Sequence, residues 1–155
     1  MLKELTAYPD LADRLTRMRT LKGVNWHSST DMLMPAGGRI VLRGADEGVL
    51  DIQAALDASG RTAAEWLQQE VLQPIFDIDE PRSDSRIGYL AGDLEADAVS
   101  LATSGTDRLA FIMPPMTFTG LKAVADDGRH LPPKSTWIAP KLRSGLTLFD
   151  FGPAT

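Results

Sequence analysis

Cysteine is absent from the 155 residues, and that one absence removes disulfides, thiolate nucleophiles and cysteine-ligated zinc or iron–sulfur sites together. A reducing compartment suits such a chain, so the cytoplasm is the expected location. Histidine is scarce, with His27 and His130 far apart in sequence, and neither His-x-x-x-His nor His-Glu-x-x-His spacing occurs; no metal site is expected. Apolar runs stop after a few residues, well short of the roughly 20 that span a bilayer. Met1-Leu2-Lys3-Glu4 begins no signal-peptide pattern, so no membrane partner is expected. An excess of positive charge is lacking too: the net charge is −5, which argues against a nucleic-acid partner, because neutralising phosphates takes clustered Lys and Arg.

What remains is ordinary in bulk. Apolar residues make up 43% and charged residues 24%, close to globular averages, so a packed core is expected rather than disorder. The length suits one domain, 1–155, with a helix and hairpin subregion at 1–50 and an α/β unit at 51–155. Charge is uneven, however. From Gly128 to Phe149 stand Arg129, Lys134, Lys141 and Arg143 with no acidic residue, and this is the candidate anion surface.

Periodicity gives the elements. Tyr8, Leu11, Leu15 and Met18 predict a helix to about Leu21, ended by Gly23. Met32–Met34 and Arg39–Arg43 flank Pro35-Ala36-Gly37-Gly38, which reads as a hairpin. Thr62-Ala-Ala-Glu65 has capping-box form and opens a helix to about Gln73, with Pro74 near its end. A polar loop follows through Ser85. Ile87–Leu90 then reads as a strand, Asp93–Ser104 as a helix stopped by Gly105, Leu109–Met113 as a strand, Thr117–Asp127 as a helix closed by Gly128, and Leu146–Phe151 as a last strand. This β-α-β-α-β order predicts an α/β class, with α+β as the alternative and helices packed on a mixed sheet.

Pro132-Pro-Lys-Ser-Thr-Trp-Ile-Ala-Pro-Lys-Leu-Arg-Ser-Gly-Leu146 resembles the C-terminal signature of a bacterial and archaeal family, the domain of unknown function numbered one thousand and fifteen. Val124-Ala125, Gly128 and Phe76-Asp-Ile-Asp-Glu-Pro-Arg-Ser-Asp-Ser-Arg-Ile87 extend the resemblance upstream, as far as Leu50-Asp51-Ile52. Family members are longer and carry an N-terminal part with a His-His-Arg segment that has no counterpart here. The chain is thus like a C-terminal half standing alone, and the resemblance implies a partner chain supplying the other half. It also implies a link to serine metabolism and a free-serine kinase activity; the cofactor stays open, a nucleotide being one candidate.

Read residue by residue, Gly128-Arg-His-Leu-Pro-Pro-Lys134-Ser135 has the length of a phosphate-binding loop, but Pro133 replaces its second glycine. Pro132 and Pro133 donate no backbone N–H, and a helix precedes the segment where a strand should, so a nucleotide P-loop is not expected. A different anion site remains open. Lys134 supplies a mobile cation, Ser135 and Thr136 supply hydroxyls, Lys141 or Arg143 could converge on them, and Trp137 could stack on a ligand. The competing reading is a rigid surface connection with solvated charges. Arg82 and Arg86 could hold a carboxylate or phosphate through bidentate contacts, or Asp84 could pair with an arginine to pin the loop. Asp77, Asp79 and Glu80 could bind Mg²⁺ or Ca²⁺ but lack EF-hand spacing, and a solvated turn is the simpler reading. Ser28 or Ser29 with His27 makes a poor nucleophile pair, since neighbours in extended chain point opposite ways. Trp66 fits a core position. Met113-Pro-Pro-Met116 follows a predicted strand where open α/β sheets place ligands, or simply stiffens a connection.

No complete catalytic constellation emerges. Three readings stay open: a binding module for a small anionic metabolite held by Lys134, Ser135, Thr136 and Lys141 with Arg82, Arg86 and Trp137; half of a phosphotransferase acting on free serine or a related amino acid; or a structural domain with no small ligand.

Overall fold

The computed structural model describes residues 10–28, 37–90, 96, 99–100, 104 and 108–136. The first helix, α1 (Leu11–Arg19), leads to strand β1 (Asn25–His27), then β2 (Arg39–Gly44), β3 (Gly48–Asp51) and helix α2 (Gln53–Ser59). Next comes helix α3, residues 63–76, and after it strand β4 (Leu109–Ile112) and helix α4 (Phe118–Asp126). The sheet order is β1-β3-β2-β4, and each of these pairings is antiparallel. The fold is α+β.

That corrects the leaning to a mixed sheet in an α/β unit. The connection from Gly44 to Gly48 is too short for a parallel crossover, which takes a dozen or more residues, so β2 and β3 pair as a hairpin, Val41 opposite Val49. This hairpin turns around Ala45–Glu47; of the hairpin expected around Pro35, Arg39–Arg43 forms a strand as expected, while Met32–Ala36 lie outside the described residues. Ile87–Leu90, expected as a strand, has no regular structure. Ala96, Val99 and Ser100 are helical and Ser104 lies in a turn; the other residues of the expected 93–104 helix and the Leu146–Phe151 strand lie outside the described residues.

Strand β2 carries the unbroken run Ile40-Val41-Leu42, all buried, as a strand covered on both faces requires. Ile40, Leu42, Leu50 and Ile52 face the main core with Leu15 and Met18 of α1 and Trp66, Val71, Ile75 and Phe76 of α3. Phe76 meets Phe111 of β4 edge-on at 6.4 Å, a favoured aromatic geometry. Trp66 is 2% exposed, a core residue as its helical position suggests.

Helix α3 begins as the sequence signals. Thr62 accepts from the Glu65 N–H and Glu65 reaches back to the Thr62 N–H, a complete capping box. It does not stop before Pro74. Leu67–Leu72 is a π-helical stretch, with Gln73 N–H bonded to Gln68 O, and Gln73–Phe76 is α-helical again. Pro74 explains the widening: its ring would clash with the carbonyl one α-turn back and it has no N–H to donate, and the wider turn relieves both. The last carbonyls are then capped by arginines from elsewhere in the chain. Arg17 donates to Pro74 O at 3.0 Å, Arg14 to Ile75 O, and Arg86 to Phe76 O at 3.2 Å and Asp77 O at 2.7 Å. Cations at a helix C-terminus satisfy orphan carbonyls and oppose the helix dipole.

A close approach fixes how the sheet meets α2. A Cβ on Gly38 would lie 2.5 Å from Gln53 Cα and 2.6 Å from its N, and Gly38 O accepts from Ile52 N–H at 2.7 Å. Backbone cannot yield as a side chain does, so Gly38→Ala is expected to cost about 2 kcal/mol, as overpacking does. Urea unfolding checks it; an unchanged midpoint would show that β2 and α2 are free to separate.

Candidate functional site

After α3 ends at Asp77 in left-handed conformation (φ 55°), the chain turns at Glu80, whose carbonyl accepts from the N–H groups of Ser83 and Asp84. Asp84 is then bound on three sides by one residue. Its Oδ1 accepts from the Arg86 N–H at 2.8 Å and from Arg86 Nε at 3.0 Å, and its Oδ2 accepts from Arg86 Nη2 at 2.6 Å. The Arg86 guanidinium beside it holds the Asp84 carboxyl below the usual carboxylate range, against the opposing effect of burial. Asp84 is therefore ionised and neutralised in place, and Arg86 is occupied by that carboxylate and by the end of α3. This is the loop-pinning arrangement, formed by Arg86.

The second wall comes from beyond α4. Thr117 caps that helix by accepting from the Gly120 N–H, and Gly128 at φ 64° ends it. Pro132 and Pro133 then stiffen a turn that Ser135 closes, its hydroxyl donating to Pro132 O at 2.7 Å. Lys134 occupies that turn at φ 59°, a backbone region glycine holds at lower cost. The Gly128–Ser135 segment follows a helix, not a strand, as expected for a chain without a P-loop.

The two walls meet. Pro81, Arg82, Ser83, Asp84, Tyr89 and Lys134 line one shallow cleft of about 290 Å³. Arg82 and Lys134 thus line the same cleft despite their separation in sequence. Neither makes a hydrogen bond or ion pair among the described residues, and Asp84, the carboxylate in the lining of this cleft, is paired with Arg86. Burial pushes the Tyr89 phenol up, an effect the nearby Arg82 charge partly offsets; the phenol is a protonated donor at neutral pH, and it reaches Pro81 O at 3.4 Å. A second hollow of about 260 Å³ shares Pro81 and Arg82 with it and is lined also by Glu65, Asp79, Glu80, His130 and Pro133.

Of the residues singled out from sequence, Arg82 and Lys134 come together, Ser135 turns inward to Pro132 O, and Thr136 is exposed at the end of the described segment. Lys141 and Trp137 lie outside the described residues. Tyr89 is not among the residues that the sequence singles out, because 87–90 reads there as a strand. Among the described residues no group of three or more His, Asp or Glu could hold a metal ion, and Asp77 pairs with Arg14 at 2.8 Å. No helix among them is long and apolar enough to cross a membrane. Comparisons with family models, with curated proteins and with solved structures return no match.

Proposed function

We propose that this domain binds a small anionic metabolite, one bearing a phosphate or carboxylate, in the cleft between the 81–89 loop and Lys134. The observation that carries the reading is that Arg82 and Lys134, two cations without an ion pair among the described residues, line one cleft whose own carboxylate is already neutralised. Arg82 offers a planar fork and Lys134 a mobile point charge, a complementary pair for an oxyanion. Strained backbone kept at Lys134 supports the same reading, since strain concentrates where a side chain must be presented. The segments that resemble the domain of unknown function numbered one thousand and fifteen, 76–87 and 132–146, include both walls, which favours a phosphate-bearing ligand. Binding by this chain alone is preferred to phosphoryl transfer to serine because the described residues of the cleft supply no free base: Asp84 is committed to Arg86 and Tyr89 holds its proton.

Thermal unfolding against phosphate, sulfate, serine, phosphoserine, ATP and ADP tests this. A native-state ligand at 100 times its Kd adds about 2.7 kcal/mol, or about 5–11 °C for a chain of this size. Lys134→Gly separates function from folding: it is expected to raise stability without ligand by about 1 kcal/mol, or about 2–4 °C in midpoint, by relieving the left-handed backbone, and to abolish the ligand shift. Lys134→Ala should abolish the shift with no such gain. If no compound stabilises the wild type, the anion reading fails and an interaction domain takes its place.

A further inference from the structure

Something must fix where Lys134 stands relative to Arg82, because a two-cation site works only at a set separation. The segment bearing Lys134 leaves α4 at Gly128, and the next residue, Arg129, is held at both its backbone and its side chain. Its N–H donates to Val124 O at 3.0 Å, which anchors it to the last turn of α4. Its Nη1 donates to both carboxylate oxygens of Glu65, at 2.8 and 2.9 Å, and its Nη2 reaches Asp127 Oδ2 at 3.1 Å and Gly60 O at 3.4 Å. Glu65 is itself 5% exposed and locked by the capping box at the start of α3. The far end of α3 carries the other wall through Arg86.

We infer that Arg129, acting through Glu65, is a positioning residue that sets the Lys134 turn against the Arg82 loop; the inference rests on the anion-binding reading of that cleft. Four residues separate Arg129 from Lys134, two of them prolines with fixed φ, so the anchor is transmitted along a stiff segment. Arg129 itself lines neither hollow, so its effect on a ligand is indirect.

The cysteine-free chain allows spin labels at Ser85→Cys and Thr136→Cys, both exposed positions, to report the distance between the walls. A narrow distribution is expected in the otherwise wild-type protein and a broadened one after Arg129→Gln. Glu65→Gln, which keeps a residue type suited to the capping box, is expected to broaden it as well. Lys122→Gln, which breaks the exposed Lys122–Asp126 pair of the same helix, should leave it narrow. Affinity for inorganic phosphate should fall about tenfold with Arg129→Gln and recover in part with Arg129→Lys, within the range seen for residues that act through others. An unchanged distance distribution in Arg129→Gln would overturn the inference. Broadening in a protein that binds no anion would leave the anchor standing and sink the ligand reading instead, so the two failures are told apart.

Discussion

Arg86→Ala is expected to cost about 3 kcal/mol, which is about 6–12 °C in midpoint for a chain of this length. The deletion strips three things at once. Asp84, whose side chain is 16% exposed, is left ionised in a partly desolvated place without its counter-charge, and Phe76 O and Asp77 O lose their guanidinium donors. Each unsatisfied carbonyl and the orphaned carboxylate costs on the order of 1 kcal/mol. Arg86→Lys should recover less than half, because an ammonium cannot span a carboxylate and two carbonyls as the planar fork does. A double-mutant cycle with Asp84→Ala should show coupling above about 1 kcal/mol, as residues in one hydrogen-bonded network do. A wild-type midpoint in Arg86→Ala would mean that the guanidinium is idle in the fold and available to a ligand.

This clamp also separates what the residues announce from what they conceal. The capping box at Thr62–Glu65, the helix over Leu11–Met18, the strand over Arg39–Arg43 and the helix after Thr117 are local signals, each written within a few residues and each realised where expected. Strand β3 and helix α2 were missed for a physical reason: four and seven residues give too few periods to register, and β3 is held by neighbours on both sides rather than by its own composition. The β-α-β-α-β order read over 87–151 suggested a mixed sheet, but of its three strands only Leu109–Ile112 is a strand among the described residues, and it pairs antiparallel to β2.

The site divides along the same line. The scarcity of acid after Gly128 pointed to Lys134, and the Arg82-x-Asp84-x-Arg86 alternation pointed to a cation loop. Which arginine would pair with Asp84 was not legible, because Arg82 and Arg86 flank it symmetrically in sequence. The end of α3 breaks that symmetry: its carbonyls draw Arg86 inward, and Arg82 is left exposed in the lining of the cleft. The partnership of Glu65 with Arg129 was equally hidden, being a contact between distant parts of the chain.

Acid should unfold this protein through Glu65. Burial alone would push the Glu65 carboxyl up, yet the Thr62 N–H and hydroxyl and the Arg129 guanidinium outweigh it and hold the group below its ordinary value. Asp84 is held down likewise by Arg86. A carboxyl depressed in the folded state binds protons more readily in the unfolded chain, so the stability it contributes is complete above the unfolded pKa and is lost as pH falls through the folded one. Denaturant unfolding should therefore give a plateau near neutrality and a decline that begins below about pH 5. Glu65→Ala is expected to remove about 3 kcal/mol on the plateau, combining loss of the capping box with loss of a buried, charge-assisted contact. Glu65→Gln should cost less there, since an amide still suits the cap, and it should make the acid decline shallower because one depressed carboxyl no longer titrates. A Glu65→Gln protein with the same acid slope as the wild type would place the acid sensitivity elsewhere, with Asp84 and its arginine the next pair to test.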